Sequence, residues 1–203
     1  MSTIHSVCVY CGSSPGRSEE YHQAGYKLGQ DLAKAGLRLV YGGGAKGIMG
    51  AVAGGALEGG GKVTGIIPRF LINWEASENA LKQLDDLVIT GDMHERKHAM
   101  FEKSDAFVAL PGGIGTMEEI VEIMTWAQLG RHRKPILFAN INGFWNPMLA
   151  LMDHMKAEGF IHSDHRVKPI VVNRAEDIVP AILQAASAPD GAAEGDKDVI
   201  ERL

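Results

Sequence analysis

The sequence predicts an α/β fold, a doubly wound and mostly parallel sheet with helices on both faces in a Rossmann-like arrangement. Three observations lead to this prediction. Short apolar runs alternate with segments of helical periodicity, and glycine clusters follow several of the runs where a strand would turn into a helix. The 203 residues, 45% hydrophobic and 22% charged, are enough for one domain with a sizeable core. Because parallel strands need helical crossovers, this alternation favours a parallel sheet covered on both faces.

The strands are predicted from short runs of apolar residues, many of them β-branched. In chain order they are residues 4–10, 37–41, 63–67, 87–90, 106–110, 135–139 and 169–172. The helices are predicted from apolar residues at helical spacing between these runs. In chain order they are residues 19–35, 48–57, 94–103, 116–129, 146–158 and 175–185. Residues 68–85 show neither period, so we predict irregular structure there.

We predict one domain over residues 1–186 and a loosely ordered acidic tail over 187–203, which is rich in Ala, Gly, Asp and Glu. The first residues lack a basic stretch followed by a long apolar run, and no apolar run approaches the ~18 residues of a membrane span. We therefore expect a cytoplasmic protein without membrane contact. The formal net charge of −5 gives no general attraction for nucleic acid, so an anionic ligand should be small and held by local donors.

The two cysteines, Cys8 and Cys11, have the C-x-x-C spacing of redox pairs and of metal half-sites. Cys8 lies within a predicted strand, and Cys11 opens a loop rather than a helix. Neither position is the start of a helix, where a reactive thiolate is often stabilised. We interpret the pair as one packed thiol and one loop thiol.

The most informative segment is residues 110–119, Leu-Pro-Gly-Gly-Ile-Gly-Thr-Met-Glu-Glu. It follows a predicted strand and opens a predicted helix, where backbone N–H groups and the helix dipole favour an anion. The glycines allow close backbone approach, and Thr116 can cap the helix or donate to a phosphate oxygen. The alternative is a tight strand-to-helix turn with Thr116 as a plain N-cap. Such a turn does not require Glu118 and Glu119, which could be surface charges stabilised by the helix dipole or could face a sugar as base or cation stabiliser.

A second glycine cluster, residues 42–50, matches the dinucleotide fingerprint only loosely, because no acidic residue ends the next predicted strand. It also fails the Walker pattern, since Lys46 precedes Gly47 and no Gly-Lys-Ser/Thr follows. The sequence therefore favours neither a nicotinamide cofactor nor ATP hydrolysis. We predict that the protein needs no cofactor.

Residues 94–98 allow two interpretations, a zinc site or an anion-binding site. His94-Glu95-x-x-His98 matches the zinc-protease pattern. The segment lies in a βαβ pattern, and no third ligand stands in a matching context, so we predict no metal site. Arg96 and Lys97 are better candidates. At a loop-to-helix junction near strand ends they can face a phosphate or a developing negative charge, although a solvated basic pair is the alternative.

Together these segments resemble the Lonely Guy family of cytokinin-activating phosphoribohydrolases, which were long labelled lysine decarboxylases. The resemblance covers about residues 5–185. The matching segments are residues 9–14, 41–44, 47–50, 93–97, 110–119, 126–132 and 134–135. The resemblance implies hydrolysis of an N6-substituted adenosine 5′-monophosphate, or of AMP itself, to the free base and ribose 5-phosphate. It also implies a nucleotide-binding domain that forms a homodimer or a larger assembly.

The resemblance implies that Arg96 and Glu119 are the catalytic pair. The nucleotide contacts that it implies, together with those expected on the glycine-rich loops, are Gly12, Ser13, Gly43, Gly44, Glu78, Lys97, Gly112, Gly113, Ile114, Gly115, Thr116, Met117, Glu118 and Thr125. Ile114 departs from the family pattern, in which many members carry an aromatic residue. The homodimer could bury the apolar face of the helix predicted over 116–129, although those residues could equally belong to the monomer core.

Cleavage of an N-glycosidic bond builds positive charge on the ribose, so a carboxylate such as Glu119 can stabilise it and orient water. The alternative is a non-enzymatic carrier of a nucleotide or a molybdenum cofactor, which would need the loops but not the Arg96 and Glu119 pair. The decarboxylase label is disfavoured, because pyridoxal phosphate needs a Schiff-base lysine and a partner for its ring nitrogen. No lysine here has such a setting.

Overall fold

The structure is a computed structural model that describes residues 3–161 and 168–187. Its strands are β1 (Ser6–Tyr10), β2 (Arg38–Tyr41), β3 (Val63–Pro68), β4 (Asp86–Thr90), β5 (Ala106–Ala109), β6 (Ile136–Ala139) and β7 (Ile170–Val172). The helices are α1 (Glu19–Lys34), α2 (Gly47–Glu58), α3 (Ile72–Glu75), α4 (Glu78–Leu81), α5 (Met93–Glu102), α6 (Ile114–Gln128), α7 (Asn146–Ala157) and α8 (Ile178–Ser187).

The seven strands form one sheet in the order β4-β3-β2-β1-β5-β6-β7, and every neighbouring pair is parallel. This confirms the predicted doubly wound α/β fold. Side chains alternate between the two faces of a strand, so the five inner strands contribute to two separate cores. One core contains residues of α1, α2 and α8. The other contains residues of α5, α6 and α7.

Two segments differ from the prediction. The helix predicted from residue 175 starts as a 3₁₀ turn, Ala175–Asp177, and becomes α-helical only at Ile178. The stretch 68–85, predicted as irregular, contains the 3₁₀ turn Arg69–Leu71 and the short helices α3 and α4. Each is too short for hydrophobic periodicity to reveal. The predicted tail, apart from Ser187, lies outside the described residues.

Helices α1 and α2 approach each other closely because glycines line their contact. A Cβ atom on Gly29 would lie 2.1 Å from the carbonyl oxygen of Val52, and one on Gly55 would lie 2.1 Å from that of Tyr26. Both distances are far below van der Waals contact, so only glycine fits at these two positions. The glycines let α1 and α2 cover the same face of the sheet as one layer.

The order of the strands creates a crevice beside β1. The chain leaves β1 toward β2 on one side and later returns to β5 on the other, so the loops after β1 and β5 diverge. Ligands of open α/β sheets bind at such a switch point, beyond the carboxyl ends of the strands. The two loops start side by side, since Gly12 N–H donates to the carbonyl of Pro111 at 3.1 Å.

No helix among the described residues combines the length and the hydropathy that crossing a lipid bilayer requires.

Candidate active site

A cleft of about 300 Å³ lies at the carboxyl ends of β1 and β5, where the strand order predicts a ligand site. Its walls come from the loop after β1, the loop after β2 and the starts of α5 and α6. The residues that line it are Val9, Tyr10, Cys11, Gly12, Ser13, Gly42, Met49, Glu75, Met93, Arg96, Met100, Gly113, Ile114, Gly115, Thr116, Glu118 and Glu119.

The N-terminus of α2 is already occupied by the protein itself. The carbonyl oxygen of Gly12 accepts from the backbone N–H groups of Ile48 and Met49, at 3.1 and 3.2 Å. These are first-turn donors of α2, which have no partner inside the helix. The glycine-rich loop before α2 therefore holds the β1 loop in place. The Ile48 and Met49 donors are therefore used within the protein.

The N-terminus of α6 faces the cleft. Gly113 is the N-cap, with extended backbone, and the helix begins at Ile114. Of the two roles considered for Thr116, that of N-cap is excluded, because Thr116 lies inside the first turn. Its side chain is buried and packs on Gly112, where an added Cβ would lie only 2.1 Å from Thr116 Oγ1. The first-turn amides of α6 and the Thr116 hydroxyl are thus gathered at one end of the cleft.

Arg96 is a buried cation at the base of the cleft, with only 6% of its surface exposed. It lies in the first turn of α5, and its Nε–H donates to the carbonyl of Ile66 at 3.2 Å. Its Nη2 donates to the carbonyl of Gly42 at 3.4 Å. A Cβ on Gly42 would lie 2.1 Å from that Nη2 atom, so the absent side chain makes room for the guanidinium.

Glu119 is the partner of Arg96 across the cleft. It is 9% exposed, and its Oε1 lies 3.7 Å from Arg96 Nη1, which is an ion-pair contact too long for a hydrogen bond. Burial raises the pKa of Glu119 to about 7, and the carboxylates of Glu118 and Glu75 contribute to the increase while Arg96 opposes it. A carboxyl group with this pKa exists in both protonation states near neutral pH, which suits acid-base or electrostatic catalysis.

Lys97 follows Arg96 on α5 and lies outside the residues that line the cleft. Its ammonium group forms ion pairs with Glu118 and with Glu122, the latter at 3.2 Å. Burial lowers the pKa of Lys97, but the hydrogen bonds that its ammonium group donates to the two carboxylates outweigh this effect, and the pKa is raised. Lys97 is therefore a charged bridge between α5 and α6 in this structure.

Glu75 is a cleft residue that the sequence did not predict. It ends α3, and its backbone carbonyl accepts from Ala45 N–H at 2.8 Å. Its Oε2 atom is buried and has no hydrogen-bond partner among the described residues. Glu78, which was predicted to contact the nucleotide, begins α4, and its side chain lies outside what the structure describes. The two carboxylates are three residues apart in a segment without periodicity, so spacing alone could not choose between them.

The structure brings part of the predicted set together in the cleft. The predicted residues that line it are Gly12, Ser13, Arg96, Gly113, Ile114, Gly115, Thr116, Glu118 and Glu119. The others with described side chains lie beside the cleft or away from it, and they are Gly43, Gly44, Lys97, Gly112, Met117 and Thr125. Thr125 lies on the exposed side of α6, where its hydroxyl donates to the carbonyl of Val121 at 2.8 Å.

The zinc-protease pattern has another explanation. Glu95 takes part in capping the N-terminus of α5, where the side chain of Asp92 accepts from Glu95 N–H at 2.9 Å and the side chain of Glu95 accepts from Gly91 N–H at 2.7 Å. His94 and His98 are exposed on α5. Within residues 3–161 and 168–187, no three metal-binding side chains come together. Local helix capping thus accounts for the glutamate of this motif.

Cys8 and Cys11 are both buried and free. Burial raises the pKa of each thiol well above its ordinary value, so both are protonated at neutral pH. Cys8 is packed in the core, as predicted, and Cys11 lies in the cleft wall. A protonated thiol is a poor nucleophile, and the Arg96 cation, which lowers the pKa of each thiol, does not offset the effect of burial.

The fold is shared with a carrier protein of the molybdenum cofactor. The chain is similar to the molybdenum cofactor carrier protein MCP from Chlamydomonas reinhardtii, with a TM-score of 0.65 and 21% identity over 92% of this chain and all of that one. At this identity the similarity concerns the fold alone.

The sequence comparisons are more specific. A family described as possible lysine decarboxylase matches residues 49–182. A probable cytokinin riboside 5′-monophosphate phosphoribohydrolase of Oryza sativa subsp. japonica is 48% identical over 79% of this chain and 70% of its own. A cytokinin riboside 5′-monophosphate phosphoribohydrolase of Rhodococcoides fascians is 44% identical over 89% of this chain and 90% of its own. The chain therefore belongs to the Lonely Guy family, the family of these phosphoribohydrolases.

Proposed function

We propose that this protein hydrolyses the N-glycosidic bond of adenosine 5′-monophosphate or of an N6-substituted derivative. Water adds its hydroxyl group to C1′ of the ribose and its proton to the departing base, which yields ribose 5-phosphate and the free base. The observation that carries the proposal is the buried pair of Arg96 and Glu119 beside an open helix N-terminus. The names of the relatives support it.

The cleft has a suitable place for the phosphate and for the ribose of the nucleotide. The first-turn amides of α6 and Thr116 would bind the phosphate, because a helix N-terminus favours an anion. Glu119 lies five residues after the first residue of α6, roughly 7.5 Å along the helix axis. This distance is comparable with the separation of the phosphate and C1′ within a nucleotide. The carboxyl group of Glu119 would thus lie near the bond that breaks.

The charges of the pair fit the reaction. As the bond to the base breaks, positive charge grows on the ribose, and an ionised Glu119 would stabilise it and orient the attacking water. Arg96 opposes the increase in the pKa of Glu119 and so keeps part of the carboxyl population ionised near neutral pH. Its guanidinium is held by two backbone carbonyls and would act on the departing base from a fixed position. Phosphate binding, remote from the bond, would position the sugar.

Incubation with AMP and with isopentenyladenosine 5′-monophosphate, with free base followed by chromatography, tests the proposal. Glu119→Gln should lower the rate about a hundredfold or more while nucleotide binding persists. Glu102→Gln, an exposed change at the other end of α5, is the control and should retain the wild-type rate. A non-enzymatic carrier would bind a nucleotide without releasing base in any variant. The ratio of the wild-type rates with AMP and with isopentenyladenosine 5′-monophosphate defines the preferred substrate and shows whether the enzyme is an AMP nucleosidase.

We also propose that the protein is a homodimer that buries the exposed side of α6. Apolar side chains there are unusually exposed, among them Ile114, Met117, Val121 and Leu129. Clustered exposed apolar residues often mark a protein contact. Light scattering after gel filtration should give twice the chain mass of 21.8 kDa, and Val121→Glu should shift it to the monomer. A wild-type monomer would refute the proposed homodimer.

A cytoplasmic location stays a prediction, which cell fractionation would test.

A further inference from the structure

The loop after β6, residues 140–146, contacts the chain on both sides of the crevice, although none of its residues lines the cleft. On one side, the Asn142 amide donates to Ser18 Oγ at 3.3 Å, at the start of α1, where the loop after β1 ends. On the other side, the indole N–H of Trp145 donates to the carbonyl of Ala109 at 3.1 Å, at the end of β5. The loop after β6 therefore links the two segments that diverge at the crevice.

Asn140 fixes the shape of this loop. Its side chain is buried, and its Oδ1 accepts from the backbone N–H of Trp145 at 2.8 Å. Its Nδ2 donates to Asn146 Oδ1 at 2.9 Å and to Asn173 Oδ1 at 3.1 Å. The amide has one favourable orientation, because turning it over would place its NH₂ group against the N–H of Trp145. The backbone of Trp145 is thus held in place independently of its side chain.

The indole of Trp145 is held by packing as well as by its hydrogen bond. It is buried, and its ring lies edge to face with those of Phe138 and Phe144, at centroid distances of 5.2 and 4.9 Å. Ala109, whose carbonyl accepts from the indole, is buried too. Because neither group can bond to water instead, loss of this hydrogen bond would leave a buried polar group without a partner.

Ala109 is the last residue of β5, and the strand-to-helix loop 110–113 follows it directly. This loop is anchored from both sides. Gly12 N–H donates to the carbonyl of Pro111 from the side of β1, and Trp145 holds the carbonyl of Ala109 from the start of α7. Since α6 begins where the loop ends, the course of the loop sets the direction in which the first-turn amides of α6 point.

We infer that Trp145 is a positioning residue for the phosphate end of the cleft, whose indole N–H holds the end of β5 so that the first-turn amides of α6 converge on the phosphate. The inference rests on the proposed function for the class of ligand, a nucleoside 5′-monophosphate. Trp145 does not line the cleft, and the reacting pair of Arg96 and Glu119 is not among its contacts. Its effect should therefore fall on the binding of phosphate rather than on the chemistry at C1′.

Trp145→Phe tests this role, because it keeps an aromatic ring in the cluster and removes the N–H that Ala109 accepts. KM for AMP should rise about tenfold, as for the loss of one hydrogen bond to a charged group, and kcat should stay within about threefold of wild type. Trp126→Phe is the control. It removes an indole N–H from the far end of α6, roughly 18 Å along the helix axis from its first residue, where the ring packs against Phe101. It should change neither KM nor kcat.

The phosphate group separates positioning from a general loss of structure. In a Glu119→Gln background, which prevents turnover, isothermal titration calorimetry compares the binding of AMP with that of adenosine well below the unfolding midpoint. Trp145→Phe should weaken the binding of AMP about tenfold and that of adenosine by less than about twofold, since adenosine has no group for the helix N-terminus. Equal weakening of both ligands, or of neither, overturns the inference.

If Trp145→Phe does not fold, ¹⁵N NMR of the indole N–H groups decides. The chain has three tryptophans, so the signal that remains after Trp74→Phe and Trp126→Phe is that of Trp145. Saturation with ribose 5-phosphate should shift this signal, and an unshifted signal refutes the positioning role.

If the wild-type protein cleaves neither nucleotide, the proposed function fails. The calorimetric comparison of AMP with adenosine, carried out without the Glu119→Gln change, then still decides the role of Trp145. If the wild-type protein does not bind AMP, both the proposed function and the inference fail.

Discussion

Arg96 Nη1 and Glu119 Oε1 lie 3.7 Å apart between two helices that belong to the same face of the sheet. Two backbone carbonyls accept hydrogen bonds from the guanidinium at 3.2 and 3.4 Å and hold it in place. The contact between the guanidinium and the Glu119 carboxyl group is longer than either of these hydrogen bonds. The cation is therefore rigid, and the carboxyl group remains free to change its protonation state.

The rate of base release should depend on the protonation of Glu119. If the ionised form is active, kcat/KM increases with pH and levels off above a pKa of about 7. The measurement is a pH series with AMP, compared with the ¹³C titration of Glu119, whose signal is assigned by its loss in Glu119→Gln. A rate that falls as pH passes 7 would instead indicate that the protonated form is the catalyst.

The same residue should make folding stability depend on pH. Its pKa rises from 4.5 to about 7 on folding, so the native state keeps a proton that the unfolded state has lost between these values. The free energy of unfolding therefore falls as pH increases from 4.5 to 7, by about 3 kcal/mol at most, and changes little above 7 from this source. Urea unfolding at pH 5 and pH 8 should show a smaller difference in Glu119→Gln than in the wild type. Equal differences in the two proteins would contradict this prediction.

Gly42→Ala should inactivate the protein through Arg96. The added methyl group would lie 2.1 Å from Arg96 Nη2, so the guanidinium must leave its position between the two carbonyls. We expect base release to fall about a hundredfold, because a small displacement of a catalytic group has a large effect. Chromatographic rates check this. Gly54→Ala is a useful comparison, since a Cβ there meets no atom within 4 Å and Gly54 does not line the cleft.

Gly29→Ala should destabilise the protein without a specific effect on the cleft. Its Cβ would lie 2.1 Å from the carbonyl oxygen of Val52, which forces α1 and α2 apart. We expect a loss of about 2 kcal/mol or more in urea unfolding. Gly54→Ala, on the open side of α2, adds the same methyl group without a contact and should stabilise by up to about 1 kcal/mol. Equal effects at the two positions would argue against the close helix contact.

Glu95→Ala should act on stability rather than on catalysis. It removes the carboxylate that accepts from Gly91 N–H at the start of α5, and this typically costs about 1 kcal/mol. Base release at temperatures well below the unfolding midpoint should change little, and treatment with a metal chelator should not reduce it. His94→Ala is the matching variant on the same helix. Loss of activity in His94→Ala, or on chelation, would revive the metal interpretation.

The fold was predictable because each strand is a short apolar run bounded by clear turns. For β2, β3 and β4 the predicted and observed limits differ by one residue at most. The start of α6 was less predictable. Thr116 is a good capping residue by chemistry, but the glycines before it let the helix begin at Ile114. Conformational freedom at glycine leaves the starting point to tertiary packing.

The cleft was only partly predictable. Glycine-rich loops identify the strand ends, but only packing shows that Gly42, rather than Gly43 or Gly44, makes room for Arg96. Glu75 was missed because α3 is one turn long and has no period of its own. The partners of Lys97 were not visible either, since Glu118 and Glu122 lie more than twenty residues away along the chain.

The hydrogen bond from Gly12 to Pro111 joins positions about a hundred residues apart in the chain. A fragment that ends after β4 would contain the loop after β1 and helix α2, yet it would lack both Arg96 and Glu119. Contacts of such sequence separation form late, since a long loop must close before they become favourable. In a refolding experiment, recovery of nucleotide binding should therefore follow the recovery of helical signal. Binding would report that the two halves of the sheet have joined.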